Sequence, residues 1–251
     1  MIETRDITYD VGNETMVGYL AKPEGTGSWP VVLLGHDGVG LDDYQRGRAD
    51  DLAEHGYLTF AMDYHGGRTF FGEPEAMLNR VMPMMADTDR MLSIGRTALD
   101  VLLAEPGADP GQIAAVGYGA GARIVLELAR AGAGFKAVAV IHPGLPLTQS
   151  EEWADADATY LLCTGSDDPL CTPTQLLDLG NTMQNAGIDW RANIYGGAQH
   201  AFWARPKQST GPGDAPAERT VPGVGYHATH AQRAWQAVLD LVRGGDGAQL
   251  A

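Results

Sequence analysis

From Pro30 onward the chain repeats one pattern: a short apolar run, a turn, then a stretch with helical periodicity. The runs are Val31–Leu34, Leu58–Met62, Ile113–Val116, Ala137–Ile141, Thr159–Cys163 and Arg191–Tyr195. A strand wet on one face alternates polar and apolar residues. These runs do not, so they suit strands covered on both faces, as in a parallel sheet held between helices. Helices are expected between them at Asp43–Glu54, Thr88–Leu103, Ala120–Ala131 and Pro173–Ala186, with a last one at Ala228–Val242. In that last segment Ala228, Ala231, Trp235, Val238, Leu239 and Val242 recur at the helical period and form one apolar stripe. Strand and helix in alternation imply three layers joined by right-handed crossovers.

Ahead of this pattern, Ile2–Tyr9 and Thr15–Ala21 alternate in character and flank Gly12-Asn13, which reads as an antiparallel hairpin. No internal repeat or dividing linker follows, and the Gly- and Pro-rich stretch Pro206–Gly225 reads as a surface loop. With 251 residues, the chain is expected to be a single α/β domain over residues 1–251.

In open parallel sheets, ligands sit beyond the carboxyl ends of the strands. The residues just past the runs are His36-Asp37, Tyr64-His65, Gly119, His142, Asp167-Asp168 and His200, a dense set of titratable groups on one rim. Charge narrows what could meet them. Seventeen Lys and Arg against 32 Asp and Glu give a net charge of −15, spread along the chain. Such a surface repels phosphate backbones and anionic lipid, so a small-molecule substrate is expected, with no nucleic-acid or membrane partner. The acidic start Met1-Ile2-Glu3-Thr4-Arg5-Asp6 lacks the layout of a signal peptide, and no apolar run approaches the ~20 residues that span a bilayer. Two cysteines, Cys163 and Cys171, form neither a disulfide framework nor a metal knuckle. A cytoplasmic monomer or homodimer is the expectation, with no cofactor and no metal.

Gly117-Tyr118-Gly119-Ala120-Gly121-Ala122 joins a run to a helical stretch and can be read two ways. As G-x-G-x-x-A it matches a dinucleotide fingerprint, whose glycines let a pyrophosphate approach a helix N-terminus. Against this, the motif falls mid-chain, and His142-Pro143 stands where a ribose would need an acid. As a nucleophile elbow, G-x-Nu-x-G, it is followed by an acid after a later run (Asp168) and a histidine after the last (His200), the order of α/β-hydrolases. The second reading fits better. Its defect is Gly119, which has no side chain at the nucleophile position.

The chain resembles the dienelactone hydrolase family from about Gly18 to Leu241. The resemblance is carried by Leu34-Gly35-His36-Asp37-Gly38-Val39-Gly40-Leu41, Asp63-Tyr64-His65-Gly66, the elbow, Cys163-Thr164-Gly165-Ser166-Asp167-Asp168-Pro169, Tyr195-Gly196-Gly197-Ala198-Gln199-His200-Ala201-Phe202 and the segment Pro222-Gly223-Val224-Gly225-Tyr226. It implies an α/β-hydrolase fold and a Cys–His–Asp triad that opens lactones or esters through an acyl-enzyme. His200 and Asp168 carry over to this chain; the cysteine does not. The family's Glu after the first parallel strand corresponds to Asp37. Arg205 lies near, though displaced from, an arginine that binds substrate carboxylates.

A glycine at the elbow occupies its strained backbone region at no steric cost, whereas a residue with a Cβ is strained there by about 1–3 kcal/mol. Losing the nucleophile of a triad costs on the order of 10⁶ in kcat. Ordinary acyl-enzyme turnover is therefore excluded for this chain. Backbone donors at Ala120 and at Asp37 or Gly38 can still form an oxyanion hole, and His200 backed by Asp168 can still move protons. This points to non-covalent acid/base chemistry: a cyclisation, elimination, isomerisation or water addition. Two alternatives stand beside it: a hydrolase whose nucleophile has been removed by substitution, and a binding protein on a hydrolase scaffold.

Ser166, Cys163 and Cys171 are poor substitute nucleophiles, because none is expected over the oxyanion donors. His36, Asp37, His65 and His142 are read as turn residues rather than metal ligands. Five of the nine methionines, Met77, Met82, Met84, Met85 and Met91, fall within Glu75–Met91. They read either as a helix face packed on the sheet or as an adaptable apolar lid. Substrate contacts are expected from His36, Asp37, Tyr64, Phe71, Met84, Phe202, Trp203 and Arg205, with Phe70 adding to the pocket.

Overall fold

In the computed structural model, which describes residues 1–144, 152–155, 157–204 and 222–244, eight strands form one sheet. In chain order they are β1 (Ile2–Val11), β2 (Glu14–Pro23), β3 (Trp29–Gly35), β4 (Leu58–Met62), β5 (Ala108–Tyr118), β6 (Ala137–Ile141), β7 (Thr159–Gly165) and β8 (Asp189–Tyr195). Their order across the sheet is β1-β2-β4-β3-β5-β6-β7-β8. β1 and β2 form the expected antiparallel hairpin, β2 lies antiparallel to β4, and β3 through β8 pair in parallel.

Side chains alternate across a strand, so each buried run feeds two cores. On β3, Val31 and Leu33 enter one core while Val32 and Leu34 enter the other. The first is covered by α2 (Pro74–Met85), α3 (Thr88–Leu103), α4 (Ala120–Arg130) and α5 (Pro173–Asn185), and the second by α1 (Asp43–Glu54) and α6 (Ala228–Val242). Fully burying one leucine or valine stabilises by roughly 1.5–3 kcal/mol, and these central strands bury nearly every residue.

The helices begin where polar side chains satisfy their unpaired N–H groups. Asp42 accepts from Gln45 N at the start of α1, and Asp87 from Arg90 N at the start of α3. Thr172 and Gln175 form a reciprocal capping box on α5. The Asp87 cap splits the methionine-rich segment into two helices, α2 opening on Pro74.

Arg191–Tyr195 departs from expectation: β8 is an edge strand, largely half-buried, with Ile194 exposed. Having a single neighbour, β7, it lacks the two-sided cover of the inner strands. The stretch 206–225 falls mostly outside the described residues. Within it, Val224 pairs in parallel with His200. Among the described residues, no helix is long and apolar enough to cross a membrane.

Candidate active site

The elbow lies between the last residue of β5, Tyr118, and the first of α4, Ala120. Gly119 has φ 51° and ψ −116°, a conformation that strains any residue with a Cβ. The turn is tied to its neighbours on both sides. Gly119 N–H donates to Ile141 O on β6, and Gly121 N–H donates to His36 O past β3. A Cβ on Gly121 would lie 2.3 Å from that same His36 oxygen. Glycine here lets α4 press directly on the end of β3, which accounts for the glycine spacing without a nucleotide. Ala120 N–H, the first of α4, has no carbonyl partner within the helix.

Two strands away, Asp168 sits in the turn after β7 and is almost fully buried. Its Oδ1 accepts from Leu170 N–H at 2.8 Å and Cys171 N–H at 2.9 Å. His200 Nδ1 lies 2.9 Å from Oδ2 and 3.1 Å from Oδ1. The His200 main chain donates to Gly223 O and accepts from Gly225 N–H, which holds the ring at a set distance from the carboxylate. Its side chain is 14% exposed. With Nδ1 occupied by Asp168, Nε2 is the nitrogen left for chemistry.

His142, just past β6, enters the same space. It is buried at φ 40° and donates its backbone N–H to Cys163 O at 2.7 Å. Its ring meets that of His200 nearly edge-on, 78° at a centroid separation of 4.4 Å. Its Nε2 accepts from the Trp203 indole N–H. The turn bearing His142 and the segment bearing His200 and Trp203 thus converge over the elbow. The sequence placed His142 on the rim but not in this contact, and its signal was its position immediately after a buried strand.

The rim on the other side of the elbow is built differently. Asp37 lies beside the turn, its Cβ 3.4 Å from where a Cβ on Gly119 would be, and its Oδ1 accepts from Val39 N–H. Tyr64 and His36 lie beneath this loop rather than on its surface. The Tyr64 hydroxyl donates to the carbonyls of His36 and Asp37, and its ring stacks on His36 at 3.8 Å. Asp63 accepts from the N–H groups of Val17, His65 and Gly67. Burial would raise its carboxyl, but the neighbouring His36 ring and these backbone donors hold it well below the usual carboxylate range. Burial, reinforced by the nearby His36, pushes the His65 ring down to about 3.

Of the remaining expected contacts, Trp203 packs on His142, Tyr118 and Tyr44, whereas Phe202 is buried against Tyr195 in the core beneath α6. Phe71 is 40% exposed. Met84 is buried on α2, and the same helix places Met77 over Gly38 and Met85 over Gly144. The methionine helix therefore packs on the core and also reaches the rim. Arg205 lies outside the described residues. Neither thiol is poised to react: burial pushes both Cys163 and Cys171 up to about 12. Ser166 is held in its turn by Asp167 and by Gly197 N–H. A cleft of about 280 Å³ between β2, α2 and α3 is lined by the ion-paired Glu14, Arg80 and Arg90 and includes neither the elbow nor His200.

Comparison with known proteins agrees with this architecture. The dienelactone hydrolase family matches residues 16–244. A solved structure named m3DLH superposes with a TM-score of 0.84 at 31% identity, covering 96% of this chain and 97% of the other. A dienelactone hydrolase-like promiscuous phosphotriesterase from metagenomic libraries gives 0.83 at 28% identity, with 96% and 97% covered. A Yersinia pestis protein named as a carboxymethylenebutenolidase is 23% identical over 95% of this chain and 87% of its own. A Bradyrhizobium protein named as a 2-oxo-3-(5-oxofuran-2-ylidene)propanoate lactonase is 25% identical over 77% and 82%.

Proposed function

The chain belongs to the dienelactone hydrolase family, and from that premise we propose that it catalyses non-covalent acid/base chemistry on a small, largely apolar metabolite bearing a carbonyl, ester or lactone. The observation that carries the reading is an intact His200–Asp168 pair, at 2.9 Å, beside an elbow occupied by glycine. In this reading His200 Nε2 takes a proton from the substrate, and Asp168 holds the tautomer and stabilises the imidazolium. The negative charge that develops on the substrate oxygen meets N–H groups at Ala120 and at the Asp37–Gly38 turn. The same imidazolium then returns its proton to another atom, which completes a cyclisation, elimination, isomerisation or water addition. Proton transfer of this kind contributes about 10²–10⁴-fold, and one oxyanion donor about 10²–10³-fold. The Met77–Met85 side of α2, with Phe71 and Trp203, supplies the apolar walls.

A second reading is a lactone hydrolase whose nucleophile has been substituted, and it draws on the strained elbow conformation that Gly119 does not itself require. A binding protein has no use for a buried carboxylate aligning an imidazole. The deciding experiment incubates the unsubstituted protein and His200→Ala with enol-lactones and aryl esters, following turnover by absorbance and adducts by intact-mass spectrometry. The proposal expects turnover without an acyl adduct and at least a hundredfold loss in His200→Ala. An acyl group on the unsubstituted chain, or unchanged turnover in His200→Ala, overturns it.

A further inference from the structure

Resting on that reading of the His200–Asp168 pair, we infer that His142 stands in the place of the missing nucleophile. Its imidazole fills the side-chain volume over Gly119, sets the ring of His200, and steers the site toward reactions that need no attacking group at the elbow. His142 is thus a positioning and specificity-determining residue, and its presence crowds any side chain at 119.

A Cβ on Gly119 would lie 3.2 Å from His142 Cε1 and 3.4 Å from the Asp37 Cβ. Carbon atoms prefer about 3.5–4.0 Å, and a sulfur or oxygen on that Cβ would extend a bond further. A side chain at 119 therefore stays only if His142 yields, and its surroundings resist this. Its Nε2 holds the hydrogen bond from the Trp203 indole, and the two rings lie 9° from parallel. Trp203 is wedged between Tyr44 and Tyr118 at centroid distances of 4.8 and 4.4 Å. The His200 ring lies against that of His142 at 4.4 Å. The main chain is pinned too, by the bond from His142 N–H to Cys163 O.

An indole nitrogen only donates, so in the Trp203 contact His142 Nε2 is the acceptor. Of the reactions open to the dyad, cyclisation, elimination and isomerisation keep their route, and attack from the elbow loses it.

Two independent cycles test this. In the first, Gly119→Cys and the double variant Gly119→Cys/His142→Ala are incubated with p-nitrophenyl acetate. The introduced thiolate attacks the carbonyl carbon, the ester C–O bond breaks, p-nitrophenolate leaves, and a thioester remains for mass spectrometry to read. The double variant is expected to acylate at least tenfold faster than Gly119→Cys alone; equal rates overturn the inference. The second cycle measures thermal unfolding of Gly119→Ala, His142→Ala and the pair, so it needs neither a thiol nor catalysis. The pair is expected to lose less Tm than the two single losses combined, because the crowding is relieved when either partner shrinks. Additive losses overturn the inference. Neither cycle depends on how the dyad works: an acyl group on the unsubstituted chain defeats the dyad proposal and leaves both cycles standing.

Discussion

The two halves of the strand-end rim carry the same kinds of residue and put them to opposite uses. On the β3–β4 side, His36, Asp63, Tyr64 and His65 face backbone donors and acceptors: Asp63 alone receives three N–H groups, and the Tyr64 hydroxyl bridges two carbonyls. On the β5–β8 side, Asp168 spends its oxygens on two backbone N–H groups and on His200, whose second ring nitrogen is left for a ligand. The difference teaches that a density of titratable groups does not by itself mark chemistry. What marks it is a side chain oriented by one partner with the rest of its ring open to the rim: His200 is partly exposed, whereas His36 and His65 are buried.

The comparison breaks most sharply at Asp168. Asp168→Asn offers His200 the wrong hydrogen-bonding partner and is expected to lower turnover about 10⁴-fold with little change in melting temperature. Steady-state kinetics beside a thermal melt checks both halves. The mirror case is Asp63→Ala, which strands the buried N–H of His65 and those of Val17 and Gly67, whose bonds are half-buried. It is expected to cost at least about 3 kcal/mol in denaturant unfolding, while the folded fraction keeps its turnover per molecule.

A smaller effect separates the halves by pH. His65 is held neutral in the folded state down to about 3, whereas an unfolded histidine takes up a proton near 6.5. Between those values the unfolded chain binds one proton more, so stability falls with decreasing pH by about 1.4 kcal/mol per unit. Asp63 adds to the loss below about pH 4, where its depressed carboxyl stays ionised in the fold and the unfolded one does not. Urea unfolding across pH 4–7 should show the slope, and His65→Gln should flatten it. The smallest expectation serves as a scale: Thr172→Ala removes the α5 capping box at about 1 kcal/mol by thermal or urea unfolding.

Much of the frame was legible before any coordinates. β4 and β6 span the apolar runs residue for residue, and α1, α3 and α6 begin and end where periodicity and capping residues place them. Such features depend on neighbours within a few residues, and a single chain displays those directly. The order of Gly119, Asp168 and His200 along the chain likewise put the pair on one rim. β8 escaped because Arg191–Tyr195 is as unbroken as a central run, and nothing local reveals that only β7 flanks it. The Asp63 network escaped because its donors come from β2 and from the turn after β4.

By itself, then, the sequence determined the elements, their order, the family resemblance and the absence of a side chain at 119. Those follow from periodicity, steric preference and residue identity, which are short-range. Only the tertiary structure decided what surrounds that glycine. Asp37, His142 and the His200–Trp203 segment arrive from three separate turns, and contact among them is created by strands lying side by side. Whether a histidine there is buried in the fold or open to the rim depends on those neighbours, which sheet order alone supplies.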